Sequence, residues 1–274
     1  MKGSMEGRVC VVTGATAGIG QAAAVDLARR GATLVLVARS AERAERTRAR
    51  AVRAAGHDRV GVVLADLSVQ AQVRAAAAQI LERWPAVHVL LNNAGVYTRR
   101  REESADGIEM QLAVNHLAPF LLTHLLLDRL RAGAPARVVA MSSGAHHFGR
   151  PRWDDLQMRR GYNGLRQYSN TKLFNVLFTR ELARRVPPPA LTANALHPGW
   201  WPRRSCSADG RRSGCSSAGC APRSRAPAPP STWPHRPMSR RSPASTFRTS
   251  ARPASPPPGW MTTPRGACGR SASR

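Results

Sequence analysis

The sequence predicts an α/β domain with a doubly wound parallel sheet, followed by a C-terminal segment that cannot build a core. Three observations predict this organisation. Short apolar, β-branched runs alternate with helical patterns through residues 1–199. These runs are apolar on both faces, as buried parallel strands require. Residues 200–274 contain no Leu, Ile or Val but hold 13 of the 21 prolines.

Six strands and five helices are predicted in the first part of the chain. The strands are expected at Val9–Thr13, Thr33–Val37, Val60–Ala65, Val87–Leu91, Arg137–Met141 and Leu191–Leu196. The helices are expected at Ile19–Arg30, Ala41–Ala55, Val69–Arg83, Gly107–Arg131 and Leu165–Arg185. Because crossovers between parallel strands are right-handed, this order gives a doubly wound sheet, in which ligands bind at the carboxyl ends of the strands.

The two parts of the chain are predicted to be a folded domain, residues 1–199, and a disordered Pro/Ser/Arg-rich segment, residues 200–274. Each part carries a charge of +13 out of the net +26. Without branched aliphatic side chains the second part buries too little apolar surface to offset chain entropy. Its arginines could bind phosphates nonspecifically, but no stacking aromatics alternate with them, so no specific nucleic acid partner is expected.

Cysteine spacing and hydropathy exclude several classes of protein. Cys10 lies in the first strand, where a free buried thiol is expected. The other four cysteines match no tight zinc pattern, so neither a metal site nor a disulfide framework is predicted. The N-terminus lacks the apolar run of a signal peptide, and the longest apolar stretch, Phe120–Leu130, is interrupted by His124 and Asp128. A cytoplasmic protein without a membrane span is expected.

A glycine-rich turn, TGATAGIG, follows the first strand and opens the first helix. In this context Gly14 permits a tight turn, Gly18 lets the backbone approach a pyrophosphate, and Gly20 allows close packing of helix on strand. The helix N-terminus adds N–H groups and the positive end of its dipole. An ordinary αβ turn is the alternative. Contacts to a dinucleotide are expected from Thr13, Gly14, Thr16, Gly18, Ile19 and Gly20.

The residues after the second and third strands predict which dinucleotide binds. An acid after the second strand would contact the ribose 2′-hydroxyl group, but Arg39 stands there, and a guanidinium suits a 2′-phosphate. NADP(H) is therefore favoured over NAD(H), with a solvated Arg39 as the alternative. Asp66 and Leu67 follow the third strand, where a carboxylate can accept from the adenine amino group. Capping the next helix is an almost equally good role for Asp66.

The chemical centre is predicted on the helix over residues 165–185. Tyr168 and Lys172 are one turn apart there, on the same face. A neighbouring ammonium group favours the phenolate form of a tyrosine, so Tyr168 can exchange a proton with an alcohol or carbonyl oxygen. A Tyr–Lys pair at this spacing is common by chance and is weak evidence by itself. It becomes strong evidence together with Ser143, which ends the fifth strand and can stabilise a developing oxyanion. Ser142 is the alternative.

Two further motifs support this centre. The sequence Asn92-Asn93-Ala94-Gly95 follows the fourth strand, where small residues let the backbone pass a cofactor and Asn side chains bridge neighbouring strands. Asn115 lies inside a predicted helix, although an amide is a poor helix former unless it has a separate task.

All of these motifs occur together, in the order of the short-chain dehydrogenase/reductase family, which residues 6–199 resemble. The stretches YSNTKLFNVLFTREL and SSGAHH are particularly similar to its retinol-dehydrogenase-like branch. The resemblance implies a Rossmann-like fold and a small apolar alcohol, aldehyde or ketone as substrate. It implies that Asn115 holds a water linking the lysine to solvent. The catalytic residues it implies are Asn115, Ser143, Tyr168 and Lys172. Further cofactor contacts are implied for Asn93, Ala94, Gly95, Tyr168, Lys172, Pro198 and Gly199.

The resemblance ends after Gly199. Such proteins usually continue with something like Val-Val-Ala-Thr, whereas residues 200–203 read Trp-Trp-Pro-Arg. The codons GTG-GTG-GCC encode Val-Val-Ala, and reading them one base onward gives Trp-Trp-Pro. We therefore interpret the change as a shift of reading frame at codon 199 or 200, with an evolved disordered segment as the alternative.

The resemblance implies that the part of the chain lost by such a shift supplies a seventh strand and the lid over the substrate. A homo-oligomer is compatible with the sequence, but the altered part is expected to weaken it, and to impair substrate binding. The alternatives to an enzyme are a non-catalytic NADP-binding or interaction module and nucleic acid binding by the basic segment.

Overall fold

The computed structural model describes residues 4–199, which form a parallel sheet covered by helices. The strands are β1 Val9–Thr13, β2 Thr33–Ala38, β3 Val60–Leu64, β4 Val89–Asn92, β5 Ala136–Met141 and β6 Leu191–Leu196. Their order is β3-β2-β1-β4-β5-β6, and every neighbouring pair is parallel. This is the Rossmann-like architecture predicted from the sequence, and its winding reverses between β1 and β4.

Helical segments connect consecutive strands. The α-helices are α1 Gly18–Arg29, α2 Ala41–Ala55, α3 Gln70–Arg83, α4 Met110–Leu112, α5 Ala118–Leu125, α6 Leu127–Ala132 and α7 Gly164–Arg185. A π-helical segment, Ala113–Leu117, joins α4 to α5, and a 3₁₀ turn, Gly144–Phe148, follows β5. Within residues 4–199, no helix combines the length and apolar character needed to cross a membrane.

The sheet buries an apolar core on each face. Alternate residues of β1 take opposite sides: Val11 packs in the cluster that includes residues of α3, α5 and α7, whereas Cys10 and Val12 pack with residues of α1 and α2. Cys10 is a free buried thiol, as predicted. Burial raises the pKa of this thiol to about 12, so it remains protonated.

The β1–α1 turn packs closely against the end of β4. A Cβ atom at Gly20 would overlap the Asn93 side chain and the Gly14 carbonyl oxygen. At Gly14, φ is +63° and a Cβ atom would lie 2.8 Å from the Ala94 Cα. Both positions therefore require glycine, because close approach of the two backbones leaves no room for a side chain.

The prediction of one long helix over Gly107–Arg131 is wrong. Helical structure begins at Met110 and passes through the π-helical segment, in which the Ala118 N–H bonds to the Ala113 carbonyl five residues earlier. Pro119 has no N–H and cannot donate to the carbonyl four residues before it. A normal α-helical ladder cannot continue there, and a wider turn takes its place.

The predicted strand boundaries differ from the observed ones by two residues at most. The fourth strand begins at Val89, not at Val87. The predicted disorder of residues 200–274 and the expected loss of a seventh strand lie outside the described residues. Among residues 4–199, β6 is an edge strand.

Candidate active site

Side chains join the ends of β1 and β4 at the point where the winding reverses. The Thr13 hydroxyl accepts from the backbone N–H groups of Asn93 and Ala94, at 3.0 and 3.1 Å. In return, the Asn93 Nδ2 donates to the carbonyl oxygens of Thr13 and Gly14, at 3.0 and 3.2 Å. The two glycine-containing turns are thus fixed side by side at the carboxyl edge of the sheet.

A glycine-lined surface continues from this junction. At Gly18, φ is +54° and a Cβ atom would meet nothing within 4 Å, so this backbone faces open space. Ala17, which precedes α1, offers no side-chain hydrogen bond to the helix N-terminus. At Gly95, a Cβ atom would lie 3.4 Å from both the Lys172 Nζ and the Asn115 Oδ1. These features fit a dinucleotide, with its phosphates at the N-terminus of α1.

Arg39 and Asp66 lie beside each other. The Arg39 Nη1 is 3.6 Å from an Asp66 carboxylate oxygen, and the Arg39 side chain is 78% exposed. Burial pushes the pKa of Asp66 up, but hydrogen bonds from Ser68 and the charge of Arg39 outweigh it and hold that pKa below its usual value. The carboxylate accepts from the Ser68 N–H and hydroxyl at 2.9 and 2.7 Å.

The alternative role predicted for Asp66, as the cap of the following helix, is wrong. Helix α3 begins at Gln70, and the Asp106 carboxylate accepts from the Gln70 N–H at 2.7 Å. Leu67, the other residue predicted after β3, packs against the apolar core.

Tyr168 and Lys172 face each other on α7. The Lys172 Nζ is 5.4 Å from the centroid of the Tyr168 ring. On another side, the Tyr97 ring meets the Tyr168 ring edge to face, with centroids 5.9 Å apart. Tyr168 is half-buried and Tyr97 is 51% exposed. The phenol therefore lies between a buried amine and a half-exposed aromatic wall.

Lys172 is 2% exposed and forms none of the ion pairs among residues 4–199. Its Nζ donates to the Met141 carbonyl oxygen at 3.0 Å. Burial lowers the pKa of Lys172 from 10.5 to about 8, because the charged form loses hydration. The amine can therefore lose and regain a proton close to neutral pH.

The two serines at the end of β5 have different surroundings. Ser142 is 4% exposed, and its hydroxyl donates to the Lys172 carbonyl oxygen at 2.9 Å, which ties β5 to α7. Ser143 is half-buried, and its Oγ accepts a long hydrogen bond, 3.3 Å, from the Ala145 N–H. The Ser143 hydroxyl proton remains available to a ligand, which favours Ser143 over Ser142 as the partner of a substrate oxygen.

The Asn115 side chain is fully buried in the π-helical segment. Its Oδ1 accepts from the Val96 N–H at 2.7 Å, and its Nδ2 donates to the Val96 carbonyl and the Thr171 hydroxyl, at 3.0 and 3.2 Å. The side-chain amide thus links the residue after Gly95 to α7. The side-chain amide is already bonded to protein groups, so a water held by Asn115 would have to bind its backbone carbonyl oxygen.

Two buried residues near the site, Asn175 and His116, were not predicted from the sequence. The Asn175 Nδ2 donates to the backbone carbonyls of Asn115 and Met141, at 2.8 and 3.2 Å. The His116 Nδ1 is 3.2 Å from the Asn175 Oδ1. One signal could have indicated Asn175: it is a polar residue one turn beyond Lys172, on the same buried face of the helix.

His197 connects the end of β6 to the end of β5. Its Nδ1 accepts from the Gly144 N–H at 3.1 Å, next to Ser143. Pro198 and Gly199 follow at the exposed end of β6. In this way the three residues of the His-Pro-Gly motif lie at the same edge of the sheet as the serine.

Comparison with known proteins identifies a family and relatives that share most of residues 8–202. Residues 8–202 match the sequence model of a family described as short chain dehydrogenase. Retinol dehydrogenase 11 of Homo sapiens is 45% identical over 195 residues, which cover 71% of this chain and 61% of that protein. The chain therefore spans less than two thirds of that relative.

Two crystal structures are similar in fold and sequence. An uncharacterized protein from Mycobacterium Paratuberculosis has 39% identity and a TM-score of 0.62, over 71% of this chain and 69% of that one. L-Sorbose reductase from Gluconobacter frateurii, complexed with NADPH and L-sorbose, has 25% identity and a TM-score of 0.60, over 72% and 71% of the two chains.

The state of the buried amine can be measured directly. The chain contains only two lysines, Lys2 and Lys172, so selective ¹³Cε labelling of lysine gives two NMR signals, which Lys2→Arg assigns. We expect the Lys172 signal to titrate with a midpoint of about 8, the amine being charged below it and neutral above it. A midpoint above about 10, the value for exposed lysine, would show that the amine is not buried as described.

Proposed function

The chain belongs to the short-chain dehydrogenase family, and from this premise we propose that it transfers a hydride between NADP(H) and the alcohol/carbonyl pair of a small apolar substrate. One observation carries the proposal: a buried Lys172 lies one turn from Tyr168, beside Gly95 at the carboxyl edge of the sheet. A charged amine in this position can stabilise negative charge on the Tyr168 oxygen, next to a surface suited to a dinucleotide.

The cofactor would lie along the glycine-lined surface. Its phosphates would be held by the N–H groups at the start of α1, where Gly18 leaves the backbone accessible. Gly95 leaves room next to Lys172, so the amine can hydrogen-bond a ribose hydroxyl. When bound, the nicotinamide supplies or accepts the hydride.

Tyr168 is proposed as the acid and base. In the direction of reduction its O–H gives a proton to the substrate oxygen, and in the direction of oxidation the phenolate takes that proton back. A charged Lys172, 5.4 Å from the ring centroid, would stabilise negative charge on the tyrosine oxygen while the proton is away. Ser143 is proposed to donate a hydrogen bond to the same substrate oxygen, which stabilises negative charge as it develops.

Arg39 is proposed to cause a preference for NADP(H) over NAD(H) by binding the 2′-phosphate. Its side chain is 78% exposed, and within residues 4–199 its one carboxylate partner, Asp66, lies at the long distance of 3.6 Å. Donors therefore remain for a 2′-phosphate, which a guanidinium can bind through two hydrogen bonds. The NADPH complex of L-sorbose reductase supports this proposal.

An apolar substrate is supported by Tyr97, whose half-exposed ring stands against Tyr168. The similarity to retinol dehydrogenase 11 points in the same direction. A cytoplasmic location is part of the proposal.

A change of reading frame near Gly199 is proposed as well. It is supported by the end of the family match at residue 202 and by the loss of Leu, Ile and Val from residue 200 onward. Activity of this chain would then be reduced, because the substrate lid would be absent.

Tyr168→Phe tests the chemistry. We expect NADPH-dependent reduction of benzaldehyde or decanal to fall at least ~100-fold, because the ring keeps its packing but cannot donate a proton. NADPH affinity, measured by its fluorescence, should change less than about threefold, since the phosphate sites are untouched. Tyr162 is the control, because its hydroxyl bonds the side chains of Gln111 and Glu109 and not the site. Tyr162→Phe removes the same atom and should retain most of the turnover. Turnover within about threefold of wild type in Tyr168→Phe contradicts the mechanism.

Arg39→Ala tests the cofactor preference. We expect the Kd for NADPH to rise about tenfold or more, because a charge-assisted hydrogen bond contributes roughly 1.5–3 kcal/mol, whereas the Kd for NADH should stay nearly constant. Arg46→Ala is the matched control, since this exposed arginine of α2 pairs with Glu42. Equal changes for the two cofactors in Arg39→Ala would exclude the role in binding the 2′-phosphate.

A further inference from the structure

Two side chains of α7 converge on one carbonyl oxygen. At the end of β5, the Met141 oxygen accepts from the Lys172 Nζ at 3.0 Å and from the Asn175 Nδ2 at 3.2 Å. Lys172 and Asn175 are each 2% exposed. The position of the lysine amine therefore depends on a carbonyl that is itself held by an amide one turn along the same helix.

The same amide nitrogen holds a second carbonyl. The Asn175 Nδ2 donates to the Asn115 backbone oxygen at 2.8 Å. That oxygen has no donor four residues on, because Pro119 lacks an N–H. Asn175 supplies the missing hydrogen bond, and it joins the π-helical segment to the end of β5.

His116 fixes the orientation of the amide. Because the Asn175 nitrogen faces two carbonyl oxygens, its Oδ1 must be an acceptor, and the His116 Nδ1, at 3.2 Å, must carry a proton. Burial lowers the pKa of His116, and the hydrogen bond to Asn175 offsets only part of this effect. The imidazole therefore stays neutral near pH 7, and it packs against the rings of Phe120 and Phe174.

We propose that Asn175 is a positioning residue for Lys172: it holds the Met141 carbonyl against the amine and thereby sets how readily the lysine exchanges its proton. This role rests on the proposed function, because it matters to turnover only if Lys172 supports Tyr168. The titratable groups around the amine are Tyr168, on the same helix, and His116, which reaches it through Asn175 from the π-helical segment.

Asn175→Asp, in the whole chain without cofactor, tests whether a group at position 175 lies close enough to act on the amine. Both nitrogens contact the Met141 oxygen, so a carboxylate at position 175 would lie within about 6 Å of the amine and favour its charged form. We expect the midpoint of the Lys172 ¹³Cε titration to rise by about one pH unit or more. Asn170→Asp is the control: Asn170 is equally buried on α7, but its Oδ1 accepts from the Arg150 N–H, and little change is expected.

Asn175→Leu provides a second test that introduces no charge. Without the amide, nothing holds the Met141 carbonyl against the amine, so the charged form loses part of its hydrogen bond and the Lys172 midpoint should fall by about half a pH unit. A residue that only ties α7 to β5 would lower the Tm and leave the midpoint in place. A folded Asn175 variant with an unchanged midpoint overturns the proposal. A chain that does not bind NADPH would instead overturn the proposed function. The Lys172 titration is measured without cofactor, so its outcome is independent of that result.

Discussion

The ammonium group of Lys172 is buried without a carboxylate partner among the described residues, and the arrangement of the site follows from that constraint. An isolated charge in a protein interior costs several kcal/mol unless hydrogen bonds and proton loss relieve it. Here the amine donates a hydrogen bond to a backbone carbonyl at the end of β5, and burial lowers the pKa of Lys172 to about 8. The site thus contains an amine that is close to changing its charge, one helical turn from Tyr168.

The surroundings of the amine are built from several elements. Gly95 leaves open the space beside the amine, because a Cβ atom there would already touch it at 3.4 Å. Ser142 holds the backbone of Lys172, and Asn115 joins the loop after Gly95 to α7. These contacts come from β4, β5, α7 and the π-helical segment, so the sheet order itself brings the site together.

Much of the fold could be predicted because its signals are local. Apolar runs such as that of β1 lie within one strand, and the Gly14–Gly20 turn is specified by its own backbone requirements. The misprediction of the helix over Gly107–Arg131 has two causes: Pro119, which interrupts the α-helical ladder and is visible in the sequence, and a hydrogen bond from Asn175, 60 residues beyond Asn115, which is not. A contact between distant parts of the chain leaves no trace in a local pattern.

The same distinction applies to the site. The spacing of Tyr168 and Lys172 placed them on one helix face, and the end of a strand indicated Ser143. Which side chains meet across elements could not be predicted: neither the Arg39–Asp66 pair nor the contact of Tyr97 with Tyr168 follows from spacing. These contacts depend on how loops cross the carboxyl edge of the sheet.

The most direct test of the account follows the hydrogen that is transferred. The chain should be incubated with NADPH carrying deuterium on one face of nicotinamide C4 and with an apolar aldehyde, and the alcohol analysed by mass spectrometry. The account predicts one deuterium on the carbinol carbon from one of the two faces and none from the other. An alcohol that forms without deuterium from either face would contradict it.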